Sequence, residues 1–265
     1  VIGGGAAGFF CAVNAARLRP GLEVILLEKS SKLLSKVKVS GGGRCNVTHD
    51  CSSIAEMIKM YPRGAAFLKK AFHHFFTTDT VSWFETRAVN LKTETDGRMF
   101  HVTDQSQTII DCLLNEASKY RVNIQMNVTV DSINKNGNSW QIHAANKIIE
   151  ADYICIAAGG FSKALQFNWI TNTGHSIENP VPSLFTFNIP GNSITELMGI
   201  SLENVSVKIA GTKLQDNGPL LITHWGLSGP AILKLSAWGA RELSIKNYEF
   251  MIIVNWLPAF NETTL

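Results

Sequence analysis

Apolar residues along the first 160 positions fall into two rhythms, one with the 3.6-residue helical period and one of short unbroken runs. Phe9, Val13 and Ala16 share one helix face, which Pro20-Gly21 closes. Leu22-Glu23-Val24-Ile25-Leu26-Leu27-Glu28 is then almost wholly apolar, as a parallel strand buried on both faces must be. Residues 53 to 88 read as helical, through Ile54, Met57, Ile58 and Tyr61 and then Phe67, Leu68, Phe72, Phe75 and Phe76, with an N-cap at Thr77-Thr78-Asp79-Thr80 before Val81, Trp83 and Phe84. That aromatic stretch reads as core or cofactor wall rather than a recognition surface. Asp96-Gly97 is hairpin chemistry ahead of a strand from Arg98 to Val102. A helix over about 105 to 120 turns Ile109, Ile110, Leu113, Leu114 and Ala117 inward, and Val122 to Met126 resumes as a parallel strand. Val128 to Ile133, Trp140 to His143 and Lys147 to Glu150 predict an antiparallel meander. Tyr153 to Ile156 predicts a buried strand ending in Ala157-Ala158-Gly159-Gly160.

From Gly174-His175 the pattern changes. Pro180, Pro182 and Pro190 mark a crossover, after which 184–189, 202–209, 220–223 and 250–254 alternate as strands of a β-rich domain. Gln215 to Gly218 reads as a turn. A helix starts at Pro230, capped by Ser228 or Gly229, with Ile232, Leu235 and Gly239 on one side. Asn261 to Thr264 looks like the start of a further helix. The expected domains are 1–183 and 184–265.

Composition narrows the class. Across 265 residues, 45% hydrophobic and 17% charged content describe a globular chain, and a net charge of +3 without a lysine–arginine block argues against a nucleic-acid partner. No apolar run is long enough for a bilayer, so no membrane association is expected. Five cysteines without a C-x-x-C pair point to reduced thiols and a cytoplasmic setting, and His73-His74 are neighbours that point apart, so no metal site is expected. Only Val1 and Ile2 precede the first glycines, so the chain is expected to have lost its beginning.

The glycines carry the chemistry. Gly3, Gly5 and Gly8, with Ala6 and Ala7 between them, form G-x-G-x-x-G entering a helix: a tight bend, a close approach for a pyrophosphate, and a helix–strand contact. Glu28 ends the next strand about twenty residues on, where a ribose-binding acid is expected, and reads otherwise as a solvated strand-end charge. Ser40-Gly41-Gly42-Gly43-Arg44-Cys45-Asn46-Val47-Thr48 is either a ligand-lining loop, its bare amides and Arg44 meeting an anion, or a flexible surface loop. Small residues at Ala158, Gly159 and Gly160 leave room for a cofactor to pass.

Assembled, these stretches resemble a bacterial flavoprotein family, the BaiN-like or aminoacetone-oxidase-like NAD(P)/FAD-dependent oxidoreductases. The resemblance rests on Gly3 to Gly8, Ser40 to Thr48, Asp96-Gly97-Arg98-Met99-Phe100 and Thr223-His224-Trp225-Gly226-Leu227-Ser228-Gly229-Pro230. It implies an α/β fold: a FAD-binding Rossmann-like domain of the two-dinucleotide-binding type, with an inserted β-rich, barrel-like domain and the C-terminal part missing. The acid of a late closing segment is absent, since Asp216 is the only aspartate after Gly160, and His101 stands where family members usually have proline. The resemblance further implies non-covalent FAD, NAD(P)H as a donor and a small-molecule substrate. In it Gly3, Gly5, Ala6, Ala7 and Gly8 take the pyrophosphate, Glu28 the adenosine ribose, and the Val130 backbone the adenine edge, with Lys29 among the cofactor-binding residues. Lys38, Gly42, Gly43, Arg44 and Cys45 lie near the pyrophosphate or ring, and Ala158, Gly159 and Gly160 give close passage. Arg44 is a stabiliser of reduced flavin or a structural ion pair, Cys45 a redox thiol or an inert small residue, and His224 a proton donor or an ordinary histidine. The other readings are a flavin-dependent RNA-modifying enzyme and a cofactor-less fragment with a binding or structural role.

Overall fold

The computed structural model describes residues 1–144 and 147–260. Asn261 to Thr264, read above as a helix start, lie outside them. The chain divides into two compact units, Val1–Glu178 and Asn179–Leu265, slightly before the division expected at 183/184.

In the first unit α1 (Ala6–Leu18) buries Gly8, Phe9, Ala12, Val13 and Ala16, the face its spacing predicts, and ends before Pro20. β1 (Ile25–Glu28) is shorter than its apolar run. α2 (Ser35–Val39) and a tight turn over 40–43 lead to β2 (Thr48–His49). Three short helices occupy the next stretch: α3 (Ile54–Lys59), α4 (Ala65–Phe72) and α5 (Thr77–Glu85). Pro62 and Gly64 (φ 76°) break the helical period between the first two. Asp79 accepts from the Phe76 N–H at 2.7 Å, so the N-cap of α5 is Phe76 and not Thr77. β3 (Leu91–Thr93) and β4 (Arg98–His101) form the Asp96-Gly97 hairpin, with β2 on the far side of β4. α6 (Ser106–Lys119) precedes β5 (Asn123–Met126), which pairs in parallel with β1. β6 (Val130–Asn136), β7 (Ser139–Ala144) and β8 (Lys147–Ala151) make the meander, and α7 (Asn168–Thr171) is a single turn.

β1 shows how the layers form, because successive strand side chains point to opposite faces. Leu26 joins the core of α1 and α6 with Phe9, Val13, Ile109 and Leu113. Leu27 joins Ile2 with Ile133 and Ile142 of the meander. Burying each such side chain contributes about 1.5–3 kcal/mol. Ile2 pairs in parallel with Leu27 on one side and Ile156 on the other, giving the row order 155–157, Ile2, β1, β5. The segment expected as a buried strand at 153–156 is only half-buried, with Tyr153 84% exposed. Among the described residues its backbone pairing runs through Ile2, whose N–H donates to the Cys155 carbonyl at 2.9 Å and whose carbonyl accepts from the Ala157 N–H at 2.8 Å, so a partner strand covers one side of it.

The second unit is a five-stranded sheet ordered β13-β10-β11-β12-β9, made of β9 (Phe187–Asn188), β10 (Ser201–Ile209), β11 (Gln215–Thr223), β12 (Gly226–Ser228) and β13 (Ile252–Asn255), with α8 (Pro230–Ile245) laid across it. Its core is Val205, Val207, Leu220, Ile222, Ile232 and Leu235. Gly229 caps α8 with Pro230 in its first turn. Both edge strands line a groove of about 1040 Å³, and Phe187 meets Phe250 at 4.9 Å, so the sheet curls toward a barrel. Asp216 does not sit in a turn: it lies within β11 opposite Val207, the reversal falling instead near Thr212, which bonds back to Ile209. Among the described residues no helix is long and apolar enough to cross a membrane.

Candidate functional site

The three motif glycines are required for different reasons. Gly3 has φ 114°, and a Cβ there would lie 2.4 Å from the Ala157 carbonyl oxygen. A Cβ on Gly8 would lie 1.8 Å from the Gly3 carbonyl oxygen, so helix and turn pack with no room for a side chain between them. At Gly5 nothing stands within 4 Å. Protein packing therefore does not demand a glycine at Gly5, which borders open space. Gly5 is also the N-cap of α1 and no side chain caps the helix; its first turn has no acid, and Ala6 and Ala7 are exposed. An uncapped N-terminus with a positive dipole end is a site for an anion.

Glu28 secures this turn from the next strand. Its Oε2 accepts from the Gly4 N–H at 2.7 Å, and its Oε1 accepts from the Ser30 N–H and hydroxyl, each at 2.8 Å. Burial pushes this carboxyl up, but those hydrogen bonds, with Lys29 nearby, outweigh burial and hold it below its ordinary value. A carboxylate has about four acceptor positions, so one remains, on Oε2. Gly3, Glu28, Lys29, Val130 and Ala158 line one cavity of about 220 Å³, closed by Phe161 and Trp169. The turn, the strand-end acid and the meander are thus brought together. Whole-ligand pockets run to about 300–1,000 Å³, so this one suits part of a larger molecule.

A second cavity, about 480 Å³ and mainly apolar, is lined by Ala6 and Ala7 at the start of α1, by Cys45, Asn46 and Val47, and by Phe10, Phe75 and Phe84. The second motif therefore meets the first through residues 45–47. Of its glycines, Gly41 is the packed one: a Cβ there would lie 2.9 Å from the Asn46 amide nitrogen, whereas Gly42 and Gly43 have nothing within 4 Å. Cys45 is buried at φ 61°, and burial pushes its thiol up, toward the inert form, against a smaller opposing hydrogen bond from Ser40. Cys11, which also lines this cavity, is pushed up to about 11 by burial first and Cys155 second.

Other candidates sit elsewhere. Arg44 lines neither cavity: it pairs with Glu94, lies 3.7 Å from Asp104 and stacks on Phe100 at 4.0 Å. Of its two readings, this is the geometry of the structural ion pair. Lys38 is exposed, and its carbonyl accepts from the Ser106 hydroxyl at 2.8 Å. Gly159 and Gly160 are exposed beside Ala158. His224 belongs to the second unit, exposed at the end of β11 on the turn into β12 and stacked on Trp225 at 3.5 Å. Sequence reasoning missed Lys36, whose ammonium comes within 3.7 Å of where a Gly159 side chain would begin. It also missed Ser30, Phe161 and Trp169. Their signals were slight: a serine two residues past the strand-end acid, and an aromatic directly after Gly160.

Residues 1–218 match the HI0933-like protein Rossmann domain, and residues 181–265 the HI0933-like protein barrel and H2TH domain. The chain is similar to a 3-dehydro-bile acid delta(4,6)-reductase of Clostridium scindens, 24% identical over 97% of this chain and 64% of that protein. It is also similar to ribosomal RNA dihydrouridine synthases of Escherichia coli, at 29% over 90% of this chain and 60% of that one, and Haemophilus influenzae, at 28% over 89% and 60%. The chain thus spans 60–64% of the length of these relatives. With the Rossmann match running over residues 1–218, the chain belongs to the HI0933-like family, the BaiN-like flavoprotein oxidoreductases that its four motifs resemble.

Proposed function

We propose that this chain is the FAD-holding part of an oxidoreductase that binds the cofactor non-covalently and passes electrons from NAD(P)H to a small organic substrate. One observation carries the reading: the bare end of α1 at Gly5 runs, through Gly3, into a cavity that presents the Glu28 carboxylate. The residues fit an adenosine diphosphate by what they leave open. The N–H groups of the first α1 turn would take the diphosphate, with Lys36 adding a cation. The remaining acceptor position of Glu28 would take a ribose hydroxyl. Phe161 and Trp169 would flank the adenine, with the Val130 backbone along its edge. The apolar cavity between Ala6 and Val47 suits a ring system and keeps water from it. FAD, when bound, supplies two-electron chemistry, while the chain supplies position and electrostatics. Arg44, fixed on Glu94 and Asp104, steadies the 40–47 loop in this reading.

The relatives' names differ in substrate and agree in outcome: a delta(4,6)-reductase and a dihydrouridine synthase both saturate a carbon–carbon double bond. Alkene reduction is the reaction class we assign. The test is titration of FAD with the folded chain, followed by flavin fluorescence. Saturable quenching that ADP displaces and FMN does not is the expected result. A folded chain that leaves the flavin signal unchanged, or one from which FMN displaces FAD as well as ADP does, removes the adenosine diphosphate assignment.

A further inference from the structure

From Met57 to Thr78 the chain has no aspartate or glutamate, yet it carries Lys59, Arg63, Lys69 and Lys70 with His73 and His74. The whole chain is only +3, so its positive excess is concentrated here. The structure turns this stretch outward. α4 buries no residue: Ala65, Leu68 and Phe72 are half-buried on its inner side, Phe72 packing against Phe76 at 5.3 Å and Tyr61 at 5.9 Å. Lys69, Lys70, His73 and His74 are exposed, while Phe67 is 78% exposed and Met60 71%. Lys59 has an open pairing with Glu56 at 2.6 Å, of little weight in water. Among the described residues Lys69 and Lys70 have no ion-pair partner.

The spacing says what such a face holds. Phe67, Lys70 and His74 stand three and four residues apart and form one stripe, the helical turn continuing as the His74 N–H bonds the Ala71 carbonyl at 2.9 Å. A helix that lies on a membrane segregates its apolar face from its cationic one. Here Leu68 and Phe72 are turned inward, and the Phe67 ring, 78% exposed, stands among cations. Cations that can reach phosphates, with a ring between them on which a base can stack, suit a single-stranded nucleic acid. The low net charge hides this cluster because the neutralising acids lie elsewhere in the chain.

We propose that the α3–α4 face binds single-stranded nucleic acid, Lys69 and Lys70 engaging phosphates and Phe67 stacking on a base. The proposal is independent of the flavin reading. The test measures binding of the full chain to a fluorescein-labelled single-stranded RNA of about 16 nucleotides, with heparin and phosphatidylserine vesicles as separate probes. Saturable RNA binding is expected, weakened by Lys69→Glu/Lys70→Glu, with a plot of log affinity against log salt shallower by about 1.4, about 0.7 for each lost contact. Phe67→Ala should weaken RNA about 5- to 100-fold and leave heparin unchanged. Lys69→Gln/Lys70→Gln must shift RNA binding in the same direction as the glutamates. All variants are compared at equal circular dichroism and thermal midpoint. The proposal is overturned by wild type that does not bind RNA, by variants that bind it as wild type does, or by vesicles that need these residues when RNA does not.

Discussion

Glu28 is where turn, strand and cavity meet, and its charge is the property most open to measurement. Burial alone would raise its pKa, yet the Gly4 and Ser30 donors bring it below the ordinary 4.5. In the folded chain Glu28 therefore holds its proton less readily than in the unfolded chain. The stability it contributes is complete above 4.5 and is lost as pH falls through the lower folded value. Glu28→Gln leaves an amide N–H facing donors, so at neutral pH it should cost about 1–2 kcal/mol in urea unfolding. Well below 4.5 the gap between variant and wild type should narrow. A gap that stays constant with pH would mean that the charge is not what those bonds hold. That an acid would end this strand was legible from the sequence, because strand length and motif spacing are local. That it would grip the Gly4 amide was not, since no spacing rule says which donor a carboxylate accepts from.

The glycine turn shows the same boundary at the level of an element. From sequence, Gly3, Gly5 and Gly8 take three roles, a tight bend, a close approach for a pyrophosphate and a helix–strand contact; the fold adds what each one touches, its packing demanding glycine at Gly3 and Gly8 and leaving Gly5 open. Gly3→Ala forces a Cβ onto the Ala157 carbonyl at a left-handed φ, and Gly8→Ala forces one onto Gly3. Overpacking and backbone strain each cost about 1–3 kcal/mol, so both variants should unfold at clearly lower denaturant. Gly5→Ala meets nothing and should leave the unfolding midpoint in place while lowering FAD affinity about tenfold or more, one lost approach being of order 1.4 kcal/mol. Gly5→Ala destabilising as much as Gly3→Ala, with flavin affinity unchanged, would show the turn to be purely structural. Periodicity made α1, α6 and the meander legible because each carries a long enough repeat. It could not place α2, five residues long, or separate α3 from α4, where Pro62 and Gly64 override an apolar rhythm that continues past them. Arg44 was legible as a flavin-stabilising charge or a structural ion pair but not as a partner of Glu94, fifty positions away in the chain.

At the scale of the molecule, the two units have separate cores. Among the described residues, the clusters around Phe9 and Ile133 draw on residues before 170, and the cluster around Val205 on residues from 185 onward. Between them, residues 175–186 form no helix or strand, and Leu184 is 66% exposed. Cutting between 175 and 184 removes no side chain from either unit's cores, the second beginning at Phe185, so each unit should outlast the cut. Brief digestion of the native chain with a broad-specificity protease should therefore cleave first within 175–184 and leave two resistant fragments. The glycine turn, Glu28, Lys36 and both cavities of the candidate site belong to the first fragment. Purified from the digest, that fragment alone should bind FAD with the affinity of the intact chain. First cleavage inside α3 or α4 would refute the separation into two cores, and an N-terminal fragment that stays folded but loses FAD would mean that the second unit contributes contacts the glycine turn does not provide.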